Sequence, residues 1–225
     1  MNATKSRSKK AVGHPKWDNY VASMKYAKYV LFHPFDGFWD LTHEKRGSVA
    51  AATTYLALFL ITRVVQLLFT NFQFINAPLQ YINIFEQAAS LLLPFLILCL
   101  ANWSMTTLFD GKGRFGDIYV AMCYALVPYT LIQLPLVFVS NIIAADEAAF
   151  YTVLMSFSTA WCIFLVFIGL MQVHDYGPGK TLIFLVVTVV GALIIIFLLL
   201  VFFSLLGDAA SYFISLYREI AFRLY

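Results

Sequence analysis

Arg63 is the one charged residue deep inside a long apolar run of this sequence, and Thr62, Gln66 and Thr70 stand near it on the same predicted helix. A cation in hydrocarbon needs oxygen partners. Arg63 therefore reads either as a ligand or transport residue, or as a structural side chain that reaches outward or pairs with Glu86. Asn102 and Gln133 are also polar and also lie inside apolar runs. His33, Asp36, Asp40, His43 and Glu44 carry metal-ligating atoms at near-helical spacing, but Pro34 and Gly37 interrupt the helix that would align them. His174-Asp175 has the form of a base and its orienter, without a serine or cysteine nucleophile beside it. Cys99, Cys123 and Cys162 fall singly within apolar runs, which argues against a disulfide framework or a thiolate cluster. The sequence holds no phosphate-binding glycine loop, dinucleotide fingerprint or zinc-protease motif. The expectation is a protein without catalytic residues, metal or cofactor.

The elements that hold these residues are plain from composition. Hydrophobic residues make up 61% of the chain and charged residues 12%, about half the charge of soluble domains. Five apolar runs, 48–69, 88–108, 118–139, 149–170 and 182–206, are separated by short polar stretches. At about 1.5 Å per helical residue, ~20 residues cross a ~30 Å hydrocarbon core, and each run is long enough. The predicted fold is all-α, a polytopic transmembrane bundle of five spans. The first run lies well inside the chain, so the first span, rather than a cleaved signal peptide, is expected to direct insertion.

Orientation follows from the cations. Lys5, Arg7, Lys9, Lys10, Lys16, Lys25, Lys28, Lys45 and Arg46 precede the first span, and Lys112, Arg114 and Lys180 fall in the second and fourth loops. Loops 70–87 and 140–148 hold no Lys or Arg. The positive-inside rule predicts a cytoplasmic N-terminus and an external C-terminus in the cell membrane. The net charge of +3 is thus a topology signal, and no nucleic-acid partner is expected.

Residues 1–16 read as a disordered basic tail that can be drawn to anionic headgroups. Residues 17–47 read as a cytosolic arm, either an amphipathic helix in the interface or one docked on the spans or a partner, followed by a break at Pro34 and Gly37. Pro128 and Pro135 are expected to kink the third span, with Tyr124, Thr130 and Gln133 available to the freed carbonyls. After Gly207-Asp208, residues 207–225 read as a separate external amphipathic helix.

The turn Asp110-Gly111-Lys112-Gly113-Arg114-Phe115-Gly116-Asp117 provides a tight reversal between antiparallel spans, with Asp117 as the expected N-cap of the third. Together with Tyr124-Ala125-Leu126-Val127-Pro128, this turn resembles the Yip domain family, whose pattern is an Asp and Gly closing the second span and a Tyr-aliphatic-Pro element in the third. The family motif is carried here by Asp110, Gly111, Gly113, Asp117, Tyr124 and Pro128, and His33-Pro34-Phe35-Asp36-Gly37-Phe38 is similar to the element before the first span in bacterial members. The resemblance implies five spans and a non-enzymatic membrane adaptor. Eukaryotic members bind Rab GTPases and shape membranes; bacterial members are similar in fold, and some look like accessory proteins of sugar or other transport systems.

The resulting expectation is a scaffold or accessory subunit that binds the bilayer and other membrane proteins, such as transporter subunits. Its partner surfaces are expected at Phe35, Asp36, Trp39 and Asp40 on the arm, and at Tyr212, Leu216 and Arg218 on the tail. The rival reading is a transporter or channel subunit whose path is lined by Arg63, Asn102, Gln133 and the Pro128 kink.

Overall fold

The computed structural model describes residues 15–74, 83–109, 111–143 and 147–224. Residues 1–14 of the expected basic tail and Asp110 of the turn lie outside this set. The described residues form eight α-helices: α1 (Pro15–Phe32), α2 (Pro34–His43), α3 (Val49–Phe69), α4 (Ile84–Leu108), α5 (Phe115–Ala125), α6 (Val127–Ser140), α7 (Ala148–His174) and α8 (Pro178–Leu224). α3, α4, the α5–α6 pair, α7 and α8 are each long and apolar enough to span a membrane. One face, here the lower, carries the α2–α3, α4–α5 and α7–α8 turns. The upper face carries the end of α3 and the starts of α4 and α7.

Capping sets several boundaries that hydropathy placed elsewhere. The Asn83 side chain accepts from Phe85 N at 3.0 Å, so α4 begins at Ile84, ahead of the apolar run. Ser48 accepts from Ala51 N at 3.1 Å and caps α3. The third span does break, between α5 and α6 at Leu126, because Pro128 lacks a donor for the helix ladder. The side chains expected to serve the freed carbonyls are used otherwise. Tyr124 donates to Ser23 O at 3.0 Å, Gln133 donates to Ser158, and Thr130 Oγ1 has no hydrogen-bond partner among the described residues.

The arm is a helical hairpin inserted among the spans. α1 rises along α3 and α5, and α2 returns against α7 and α5. Pro34 opens α2 at its first turn, where a missing N–H costs nothing, so only His33 separates the two helices. Gly37 permits their crossing, since a Cβ there would stand 2.7 Å from Val30 Cα. Phe38 is fully buried, with its ring against Gly169 of α7. At the tip, Leu31 and Phe32 border an apolar gap of about 300 Å³ shared with Pro128, Leu131, Phe157 and Trp161. Trp161 is the midpoint of α7. Of the two placements open in the sequence, docking on the spans is therefore the one adopted.

α4 pairs mainly with α8, and an apolar cleft of about 760 Å³ separates this pair from Phe164 and Phe167 of α7. α8 runs 47 residues without interruption, about 70 Å. The separate helix expected over 207–225 is instead the continuation of the fifth span. Gly207 and Asp208 do not stop it: one glycine costs a helix only about 1 kcal/mol, and nothing packs there to force a turn.

Candidate functional site

Arg63 faces inward. Its Nη1 donates to Tyr129 Oη at 2.8 Å and to Gln66 Oε1 at 3.0 Å. Tyr129 also donates to Gln66 Oε1 at 2.8 Å, Gln66 Nε2 donates to Gln133 Oε1 at 2.6 Å, and Gln133 Nε2 continues to Ser158 Oγ at 2.5 Å. A polar seam thus crosses α3, α6 and α7. Gln133 and Ser158 are fully buried. Interhelical bonds of this kind are worth about 1 kcal/mol each in a membrane. Arg63 forms no ion pair among the described residues, and Glu86, the partner considered from sequence, is exposed and does not reach it. Snorkelling is likewise absent, because the guanidinium is held by two side chains of the interior.

A second cluster sits on the lower face, where the family-type turn meets the end of α7. Gly113 N–H donates to His174 Nδ1 at 3.3 Å. A backbone N–H can only donate, so Nδ1 accepts and the imidazole proton is on Nε2, which meets Asn102 Oδ1 at 2.9 Å. Asn102 Nδ2 then donates to Thr188 Oγ1 at 3.0 Å. One side chain of α4 is thereby fastened to α7 and α8. Asn102 and His174 are both buried, so Asn102 belongs to this clamp and not to a path with Arg63 and Gln133.

Gly113 fits because it lacks a side chain: a Cβ would lie 2.5 Å from Val173 Cγ1 and 2.6 Å from His174 Cε1. Gly111 N–H closes the turn on Thr106 O at 2.7 Å. Asp117 is not the N-cap of the third span, contrary to expectation. Arg114 occupies that position and Asp117 lies in the first turn, where its charge still suits the helix dipole.

Asp175 closes α7 in the left-handed conformation, φ 54°, and receives Lys112 at 3.1 Å and His43 of α2 at 3.6 Å. Lys112 is 72% exposed. An exposed pair contributes about 0–1 kcal/mol, so Lys112→Ala is expected to leave the melting temperature within about 4 °C of the parent.

Among the residues proposed to meet partners, Phe35, Asp36 and Trp39 are exposed, and Trp39 stacks on His43 at 4.6 Å. Asp40 is turned inward: it accepts from Tyr26 Oη at 2.6 Å and lies 3.8 Å from Arg46. Burial and the Asp40 hydrogen bond push the Tyr26 phenol well above its ordinary range. Asp40 is thus already engaged within the chain. Tyr212, Leu216 and Arg218 are all exposed. No group of three metal-ligating side chains occurs among the described residues; α2 is a continuous helix, and His33 stacks on Tyr29 at 4.8 Å while His43 meets Asp175. All three cysteines are free and buried.

Sequence reading missed Tyr129, Ser158 and His174 as members of these networks. Tyr129 follows a proline in an apolar run and reads as packing, Ser158 is a small helix residue, and His174 reads only as a base beside Asp175. None carries a local signal, because each is defined by a neighbour at least 25 residues away.

No curated protein and no solved structure matches the chain. The Yip1 domain matches residues 28–206, from the last turn of α1 to the middle of α8. The matched stretch takes in α2, the glycine turn clamped on His174, the Tyr124–Pro128 break and the apolar length of every candidate span. Covering well over half of the 225 residues, it shows that the chain belongs to the Yip1 domain family.

Proposed function

We propose that this protein is a non-catalytic integral membrane scaffold, an accessory subunit of a larger membrane complex of the transport type. In this reading it is a multi-pass protein of a bacterial cell membrane, with the hairpin side cytoplasmic and the end of α8 external, as the distribution of Lys and Arg favours. The observation that carries the reading is α8. Beyond Phe197 its described side chains are exposed almost throughout, including Tyr212, Phe213, Leu216, Tyr217 and Ile220. Holding this far part of α8 as a helix serves no packing purpose within the chain, and exposed apolar surface of this extent marks interaction sites. Phe35 and Trp39 offer a smaller exposed aromatic face on α2.

A photo-crosslinking side chain placed at Tyr212 or Leu216, with the full chain solubilised gently from its native membrane, is expected to capture one heterologous membrane protein. The same protein should copurify with the unmodified chain. Recovery of the monomer and self-adducts alone would remove the scaffold reading.

A further inference from the structure

α7 and α8 follow one another with only residues 175–177 between them, yet they touch far less than α8 touches α4. Consecutive helices on so short a link usually lie side by side. Here α8 is drawn to α4. Asn102 Nδ2 donates to Thr188 Oγ1 at 3.0 Å, and Met105 lies on the bare backbone of Gly191, where a Cβ would stand 2.7 Å from Met105 Cε. α7 is held from the other side by α2, α5 and α6. The apolar cleft of about 760 Å³ is the gap this arrangement leaves between two neighbours in sequence.

The floor of the cleft is pinned. Tyr129 stands edge-on to Phe59 at 5.0 Å, and its hydroxyl is tied to Arg63 and Gln66. Met122 Sδ accepts from Cys99 at 3.3 Å. On the α4 wall Phe95 meets Tyr119 edge-on at 6.1 Å. Ser90 and Thr159 of the lining spend their hydroxyls on Gln87 O and Met155 O of their own helices, so every side-chain hydroxyl of the lining is engaged. The floor residues Met122, Tyr129 and Cys162 are buried, whereas Ile163 and Leu182, on the facing walls of α7 and α8, are 66% and 61% exposed. The opening is therefore sideways. Ile163 lies eleven residues from His174 at the end of α7, about 16 Å along the helix, so the opening is at the depth of the hydrocarbon and continuous with the lipid-facing surface of the spans.

These features select the occupant. An unfilled apolar gap forfeits dispersion contacts along its lining, and the fluid at this opening is acyl chain. An apolar cavity of about 150 Å³ holds one benzene, so the cleft has room for about thirty carbons. A helix is a poor fit. With its side chains it is about 10–12 Å wide, and filling the ~12 Å from Ser90 to Leu98 would take about 900 Å³ or more, above the volume present.

We propose that this cleft is a binding site for the acyl chains of one bilayer lipid, taken in sideways between α7 and α8 and held as a fixed part of the bundle. This inference stands apart from the scaffold reading and does not depend on any partner protein.

The test is photolabelling of the full chain in maltoside micelles with a phosphatidylcholine that carries a diazirine midway along one acyl chain, followed by peptide mapping. Adducts on residues 90–98 and 159–167 are expected to saturate as the probe is raised. Adducts at Phe197 and Phe203, exposed on α8, should instead keep rising in proportion. Excess unlabelled phosphatidylcholine should remove the saturable adducts first. Ala160→Phe puts a ring into the cleft from a position that is exposed and has little packing to lose; it should abolish the saturable adducts and leave those at Phe197 and Phe203 unchanged. Saturation and competition are read on the parent chain and stand even if the variant fails to fold. Absence of adducts in the cleft, adducts there that rise in parallel with those at Phe197, or saturable adducts that persist in a folded Ala160→Phe would each overturn the site.

Discussion

Replacing Phe38 with alanine is expected to unseat the N-terminal hairpin and to lower the melting temperature by about 10 °C. Phe38 is fully buried and is the side chain by which α2 rests on Gly169 of α7. Truncating a buried phenylalanine costs about 3–5 kcal/mol through lost burial and the cavity left behind, and each kcal/mol moves the transition of a chain this size by about 2–4 °C. Relaxation will not close the cavity easily, because α2 is also fixed through Leu41 and through the Tyr26–Asp40 bond. The three buried cysteines provide the readout. A thiol-reactive maleimide dye reports their exposure on heating, and Cys99 and Cys123 are within the core the hairpin covers. A Phe38→Leu variant should recover most of the loss. If Phe38→Ala melts with the parent, the hairpin is not a packed part of the bundle and α1–α2 belong on the membrane surface after all.

Gly113→Ala is expected to come next in effect, and to act through the clamp. The added methyl meets Val173 and His174 at 2.5–2.6 Å, closer than any relaxed carbon contact. Forcing a methyl into such a site costs about 1–3 kcal/mol, and the turn must withdraw from the imidazole. That withdrawal breaks Gly113 N–H to His174 Nδ1 and frees the ring that holds Asn102. Loss of the clamp loosens α4 and α8 together, since Asn102 also donates to Thr188. The expected signature is increased amide exchange in residues 102–113 and 171–188 with little change around Arg63. His174→Asn would test the same linkage from the other side. Exchange unchanged at α8 in both variants would show that the turn is anchored by something other than this histidine.

Much of the architecture was legible because lipid imposes a strict length rule. Each of the five apolar runs found its helix, and the third carried its break where Pro128 required it. The family-type turn was also legible, since glycines at 111 and 113 announce close approach of backbone to neighbour. What they approach was not. His174 lies 61 residues from Gly113, and no spacing rule joins the two. The arm shows the same limit. Its amphipathic pattern required a covering surface without saying whether lipid, a partner or the protein's own spans would supply it, and the answer rests on Phe38 meeting the bare backbone of Gly169.

The sequence by itself determined that the chain crosses a membrane, how many times, and which stretches do so, because hydrophobic transfer is additive over local residues and needs no knowledge of neighbours. The tertiary structure alone decided that Arg63 turns inward to Tyr129 and Gln66 instead of toward Glu86, that Asn102 serves a clamp instead of a path, and that the fifth span continues unbroken. Those outcomes depend on which polar atoms come within about 3 Å of one another, and hydrogen bonds are too short-ranged and too directional for linear order to foretell.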